Sequence, residues 1–227
     1  MRLLVLDTAL DACQVGLFQD DRAILTLEQP MVRGGMERIA LMTRDLMAAA
    51  GLSLETIDRI GVTVGPGSFT GLRVGLAFAQ GLGAGVGRPV VGISSLDALA
   101  ASVGSEPDVA PGPVLAVIDA RRGQVYARAF DAGRPTMEPM ALTLEAARTL
   151  ADRLGPRPIL VGSGAPLLAE GREGARVIPL AAPRLAAVAQ LALAADPAQA
   201  PPRPLYLRAP DATPPTRRPG APRREAP

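Results

Sequence analysis

The residues best placed to do chemistry lie in Gly65-Pro-Gly-Ser-Phe-Thr-Gly-Leu-Arg73. Ahead of them, the β-branched Ile60, Val62 and Val64 predict a buried strand. Behind them, apolar spacing predicts a helix over 72–85 that Ser68 or Thr70 can cap. A strand, a glycine turn and a capped helix offer backbone N–H groups to an anion, as phosphate loops do. Those loops also need a lysine after the last glycine, and this chain has no lysine. The turn is therefore expected to shape the backbone rather than to hold a nucleotide. His is absent too, which excludes Ser-His-Asp and Cys-His nucleophiles, leaves Ser68 without a base and rules out a His-rich metal site. Two carboxylates end predicted strands, Asp7 and Asp119, and Arg121 and Arg122 after the second are within reach of an anion. The turns they open, 7–13 and 119–123, are not glycine-rich and are expected to be hairpins.

Two helices must position whatever surface this chain presents. In the helix after the glycine turn, Gly71, Leu72, Val74, Gly75, Leu76, Phe78, Ala79, Leu82 and Gly83 share one arc. It is wider than the stripe of ~100° that rests on one sheet. Gly75, Gly81 and Gly83 are read inside it, and an interior glycine costs ~1 kcal/mol against alanine. Another backbone, from this chain or from a partner, is expected to come close. An earlier helix over 36–50 places Met36, Ile39, Ala40, Met42, Thr43, Leu46, Met47 and Ala50 on one half, with Glu37, Arg38, Arg44 and Asp45 opposite. Its methionines suit either a core or an adaptable contact surface.

The rest of the chain reads as a pattern that occurs twice. Strands over 3–7, 14–18 and 23–27 form an antiparallel meander, followed by the two helices, a strand over 90–93 and a short helix to Ala101 capped by Ser94 or Ser95. Residues 104–113 are rich in Pro, Gly and Ser and mark a boundary. Beyond it come strands over 114–119 and 125–130, a helix over 143–154, a strand over 159–162 broken by Gly164 and Pro166, a short strand at 177–178 and a helix over 185–195. The duplication predicts an α/β protein of two related lobes, 1–103 and 110–196, with a tail over 197–227. In the tail, 205–207 is expected to dock, and the chain past Pro210 to be disordered. Up to residue 200 there are 18 Arg against 20 acidic residues; beyond it, six against two. A basic body face for nucleic acid is not indicated, whereas a basic tail is. Asp7 interrupts the first apolar run, and the charge-free stretch 74–87 is too short for the ~20 residues of a membrane span, so neither a secretory signal nor a membrane partner is expected. The single Cys13 excludes an internal disulfide and fits a reducing, cytoplasmic setting.

Laid out in this way, the sequence resembles the TsaB (YeaZ) family, the non-catalytic partner of the bacterial tRNA threonylcarbamoyladenosine transferase TsaD. The resemblance rests on Leu4-Val-Leu-Asp-Thr8, the specific signature Gly65–Arg73, Arg88-Pro-Val-Val-Gly-Ile-Ser-Ser-Leu-Asp-Ala-Leu99, Ile118-Asp-Ala-Arg-Arg-Gly123 and Pro204-Leu-Tyr-Leu-Arg208. It implies the two-lobed, actin-like (ribonuclease-H-like) fold of the sugar kinase and Hsp70 superfamily. It also implies a scaffold role in modifying adenosine 37 of tRNAs that decode ANN codons. In TsaD-like transferases, two histidines four apart on a helix hold the catalytic metal; here those positions are Ser95 and Leu99, a poor donor pair. No catalytic, cofactor-binding or metal residue is therefore assigned. The implied partners are a TsaD-like subunit, a TsaE-like accessory ATPase and, through the complex, tRNA. The expected partner interface comprises Met36, Ile39, Ala40, Met42, Thr43, Leu46 and Met47 on the first helix with Leu72, Gly75, Leu76, Ala79 and Gly83 on the second. An ATP-dependent transferase or kinase of the same superfamily, or a stand-alone homodimer, is the alternative. Arg33-Gly-Gly-Met36 departs from the His or polar residue that family members often carry before the first helix.

Overall fold

Central strands buried on both faces build the molecule outward from two sheets. A computed structural model of the chain describes residues 1–30, 38–107, 109–172 and 174–208. In the first half, β1 (Arg2–Asp7), β2 (Ala12–Gln19) and β3 (Arg22–Pro30) form the meander; β4 (Arg59–Gly65) and β5 (Val90–Ser94) then add in parallel on the other side of β1. The order is β3-β2-β1-β4-β5. Helix α1 (Arg38–Ala49) joins β3 to β4, α2 (Phe69–Val86) joins β4 to β5, and α3 (Ser95–Ser102) follows β5. In the second half, β6 (Val114–Asp119) pairs antiparallel with β7 (Gln124–Asp131), which also pairs with β8 (Arg134–Pro135) and β9 (Met140–Thr143). On the other side of β6, β10 (Ile159–Val161) and β11 (Arg176–Ile178) pair in parallel. Helices α4 (Leu144–Arg153), α5 (Ala165–Ala169) and α6 (Leu185–Ala194) complete it. Each sheet thus has a meander on one side of its first strand and parallel strands on the other, the duplicated actin-like plan.

Local chemistry accounts for the element ends. Ser68, Ser94 and Thr143 cap α2, α3 and α4, each accepting a hydrogen bond from the N–H three residues on. The cap starts α2 at Phe69, three residues before the apolar spacing does. Gly164 and Pro166 were expected only to break the chain, yet α5 begins there. Pro166 stands in its first turn, where a missing N–H removes no helical bond. The strands β8 and β9 were not foreseen; both are short and largely exposed, so neither shows an apolar alternation.

The side chains of β1 divide the first sheet. Leu4 and Leu6 face α1 and α2, packing with Ile39, Met42, Leu46, Leu76 and Ala79. Leu3 and Val5 face the opposite way, against Val188, Ala189 and Ala192 of α6. In the second sheet, Leu115 and Val117 meet α4 and α5, whereas Ala116 and Ile118 meet Leu96 and Leu99 of α3. Packing therefore crosses the 104–113 connection in both directions: α3 covers the second sheet and α6 the first. Polar contacts follow suit. Arg59 of β4 donates to the carbonyls of Ala192, Leu193 and Ala195 at the end of α6, and Arg128 of β7 binds Asp97 of α3 through both carboxylate oxygens at 2.6 and 2.8 Å.

An extended strap over 200–208 then runs across both sheets. Gly92 N donates to Ala200 O at 2.9 Å, Gln80 Nε2 to Pro202 O at 2.6 Å and Leu205 N to Val64 O at 2.8 Å. Leu205 packs into the core under α2, Leu207 into the cluster between α3 and the second sheet, and Arg208 hydrogen-bonds Gln124 at the start of β7. The expected disorder past Pro210 lies outside the described residues.

Candidate functional site

Between the sheets lies the cleft where a fold of this kind offers a ligand site, and its first wall is shut by the chain itself. Asp7, at the end of β1, is fully buried. Its Oδ1 accepts from Ala9 N at 2.9 Å and from Thr63 Oγ1 at 2.5 Å, while Oδ2 has no hydrogen-bond partner among the described residues. Burial pushes this carboxyl up to about 6, against the downward pull of the Thr63 and Ala9 hydrogen bonds. Thr8 Oγ1 donates to Gly71 O at 2.8 Å, and Ser68 N to Ala9 O at 2.7 Å. A Cβ on Gly67 would strike the Ala9 carbonyl, and one on Gly71 the Thr8 carbonyl. The start of α2 is thus pressed onto the turn after β1, and the glycines of the signature are there for that approach. Ser68 Oγ is engaged as the α2 cap, and Cys13 is buried, its thiol pushed up to about 11 by burial and by Asp7, which makes it inert.

The opposite wall is the turn after β6. Asp119 Oδ1 accepts from Arg121 N at 2.8 Å, its own N–H donates to Ser163 Oγ at 3.1 Å, and the Arg121 guanidinium stands 3.6 Å from Oδ2. Arg121, Arg122 and Gly123 follow one another at positive φ, 63°, 54° and 72°. A cavity of about 380 Å³ remains between the walls, lined among others by Asp11, Ser68, Asp119, Arg121 and Ser163. Two carboxylates against one arginine do not make a cradle for a polyphosphate. Ser95 and Leu99 are both fully buried, Leu99 within the core beneath α3. Among the described residues, no group of three His, Cys, Asp or Glu side chains is placed to hold a metal.

The helical faces expected at a partner interface turn inward instead. Ile39, Met42, Thr43, Leu46 and Met47 of α1, and Leu72, Gly75, Leu76, Ala79 and Gly83 of α2, are buried within this chain. Of the other two, Ala40 is exposed and Met36 lies outside the described residues. The reason is close packing within the chain: a Cβ on Gly75 would meet Thr8 Oγ1, and one on Gly83 would meet Val90, so these glycines serve the chain's own sheet. A charge at Met42 or Ala79 would therefore unfold the chain rather than detach a partner. Gly81, read inside the same arc, is exposed.

What the two helices leave outside is a different set. Leu41 is 52% exposed on α1, while Ala77, Gly81, Ala84 and Gly85 form the outer face of α2. A Cβ on Gly81 or Gly85 would meet nothing within 4 Å. The helical wheel alone places Leu41 opposite Ile39 and Leu46; that lone leucine on the polar half was the available signal.

A family model for TsaD, tRNA N6-adenosine threonylcarbamoyltransferase, matches residues 32–158. The tRNA threonylcarbamoyladenosine biosynthesis protein TsaB of Escherichia coli K12 is 40% identical over 126 residues, 56% of this chain and 53% of that protein. This chain thus matches about half the length of that relative. An uncharacterized protein of Mycobacterium tuberculosis H37Rv is 35% identical over 216 residues, 93% of this chain and 94% of its own. The structure of YeaZ from Pseudomonas aeruginosa superposes with a TM-score of 0.74 at 28% identity, covering 91% of this chain and 99% of that one.

Proposed function

The chain belongs to the TsaB (YeaZ) family, and on that premise we propose that it is the non-catalytic scaffold for threonylcarbamoylation of adenosine 37 in tRNAs that decode ANN codons. A TsaD-like subunit binds it and supplies the metal, the nucleotide and the chemistry. A TsaE-like ATPase joins the assembly, which engages tRNA and works in the cytoplasm. No helix among the described residues is long and apolar enough to cross a membrane.

The observation that carries this reading is the outer face of α1 and α2. Gly81 and Gly85 each give up ~1 kcal/mol of helix stability against alanine, and among the described residues a Cβ at either would meet nothing within 4 Å. A facing helix from a partner can use that flat surface to approach to about 8 Å. Leu41, exposed on α1, supplies an apolar knob whose burial is worth roughly 1.5–3 kcal/mol. The filled turn after β1 and the absence of histidine support a role without catalysis.

The test is co-purification from the native host with the TsaD-like subunit, comparing the parent chain with Leu41→Asp and Gly81→Gln. Both variants should lose co-elution, with Leu41→Asp melting as the parent does and Gly81→Gln melting no lower than the parent. A complex that survives both rejects this face. Unchanged N6-threonylcarbamoyladenosine in tRNA from cells depleted of the chain rejects the function.

A further inference from the structure

Two of the chain's six aromatic side chains lie on the surface, and they lie together. Phe69, at the start of α2, is 54% exposed, and Tyr206, on the strap, is 47% exposed. Their ring centroids are 5.6 Å apart with the planes tilted by 35°. The Arg73 guanidinium carbon sits 3.8 Å from the Phe69 ring centre, and Arg73 Nε donates to the Tyr206 hydroxyl at 3.3 Å. Phe69 and Arg73 belong to the glycine-turn signature, yet their side chains serve neither the core nor the cleft.

The cluster is held in place by other groups. Ser68 caps α2 beneath Phe69, and on the strap Leu205 and Leu207 pack inward so that Tyr206 between them points out. Fastening the strap therefore requires neither open ring face. The strap itself is cationic: Arg203 and Arg208 flank Tyr206 in sequence. Exposed aromatic rings, a planar guanidinium and arginines beside them in sequence are the chemistry that binds unpaired nucleotides. Bases stack on the rings while arginines meet the phosphates. A duplex hides its base faces and offers only the phosphates.

We propose that Phe69, Arg73 and Tyr206 form a stacking platform on which this chain directly holds unpaired nucleotides of the RNA substrate. The proposal rests on the reading of the chain as part of a tRNA-modifying assembly, and adds that the scaffold itself touches the RNA.

The experiment uses the full chain and fluorescence anisotropy at one fixed, near-physiological salt concentration. The probes are a labelled anticodon stem-loop and a blunt RNA duplex of the same base composition. The parent should prefer the stem-loop. Phe69→Leu with Tyr206→Leu, which keeps apolar bulk but removes the π faces, should weaken stem-loop binding about tenfold and leave duplex binding and the melting temperature unchanged. If the double variant melts early, Phe69→Leu alone carries the same expectation at about half the logarithmic effect, roughly threefold. Equal affinity of the parent for loop and duplex overturns the proposal, as does unaltered loop binding by a folded variant. Lost co-elution with the TsaD-like subunit alongside intact RNA binding also overturns it, by assigning the rings to a protein contact. A parent chain that binds the loop but never co-elutes with that subunit rejects the scaffold reading and leaves the platform standing.

Discussion

Asp7, buried at the end of β1, has one carboxylate oxygen in use and one without a partner among the described residues. Its folded value of about 6 stands above the ordinary 3.8. A carboxyl raised in this way contributes its stability in full below pH 3.8, and the contribution is lost as the pH rises through 6. The loss is on the order of 3 kcal/mol at the alkaline end. Urea unfolding between about pH 4 and 7 should therefore show stability falling for the parent and levelling off above 6. Asp7→Asn, which keeps an oxygen for Ala9 N and Thr63 Oγ1, should flatten that slope; an undiminished slope would place its source elsewhere. The sequence showed a carboxylate ending a strand. It did not show that Gly67 and Gly71 would bring α2 down onto the neighbouring carbonyls, because a close approach between distant backbones leaves no periodic trace.

At the scale of the element, α2 carries glycines of two kinds that composition cannot separate. Gly83 lies against Val90 and the Arg88 carbonyl, whereas Gly81, two residues before it, has open space around it. Gly81→Ala should stabilise the isolated chain by ~1 kcal/mol, and Gly83→Ala should destabilise it by about 1–3 kcal/mol through overpacking. Thermal melting of the two purified variants distinguishes them, and a common sign would refute the assignment. The helical period correctly gathered Leu72, Leu76 and Ala79 on one side. It could not say whether that side met the chain's own sheet or another protein, since both bury the same residue types. Leu41 was legible only as an exception to a polar half, and Gly81 was read inside the apolar arc rather than on the outer face. The capped starts of α2, α3 and α4 were readable because Ser and Thr act on amides three residues away, a local relation.

Across the whole molecule, the repeated strand order was visible in the sequence because the same signals recur in the same succession. The exchange of helices between the sheets was not visible, since an apolar helix carries no mark of which sheet it will cover. The strap adds a third tie. A chain ending at residue 208 keeps each of its bonds and should melt as the parent does, within about 0.5 kcal/mol. Ending at 199 removes Leu205 and Leu207 from two different clusters and should cost on the order of 3 kcal/mol in chemical denaturation. Equal stability of the two truncations would show the strap to be ornamental. The crossing of α3 and α6 has its own outcome for a protease. A nick between residues 104 and 112 would cut one covalent bond yet free neither fragment, because each would still be clasped by a helix belonging to the other.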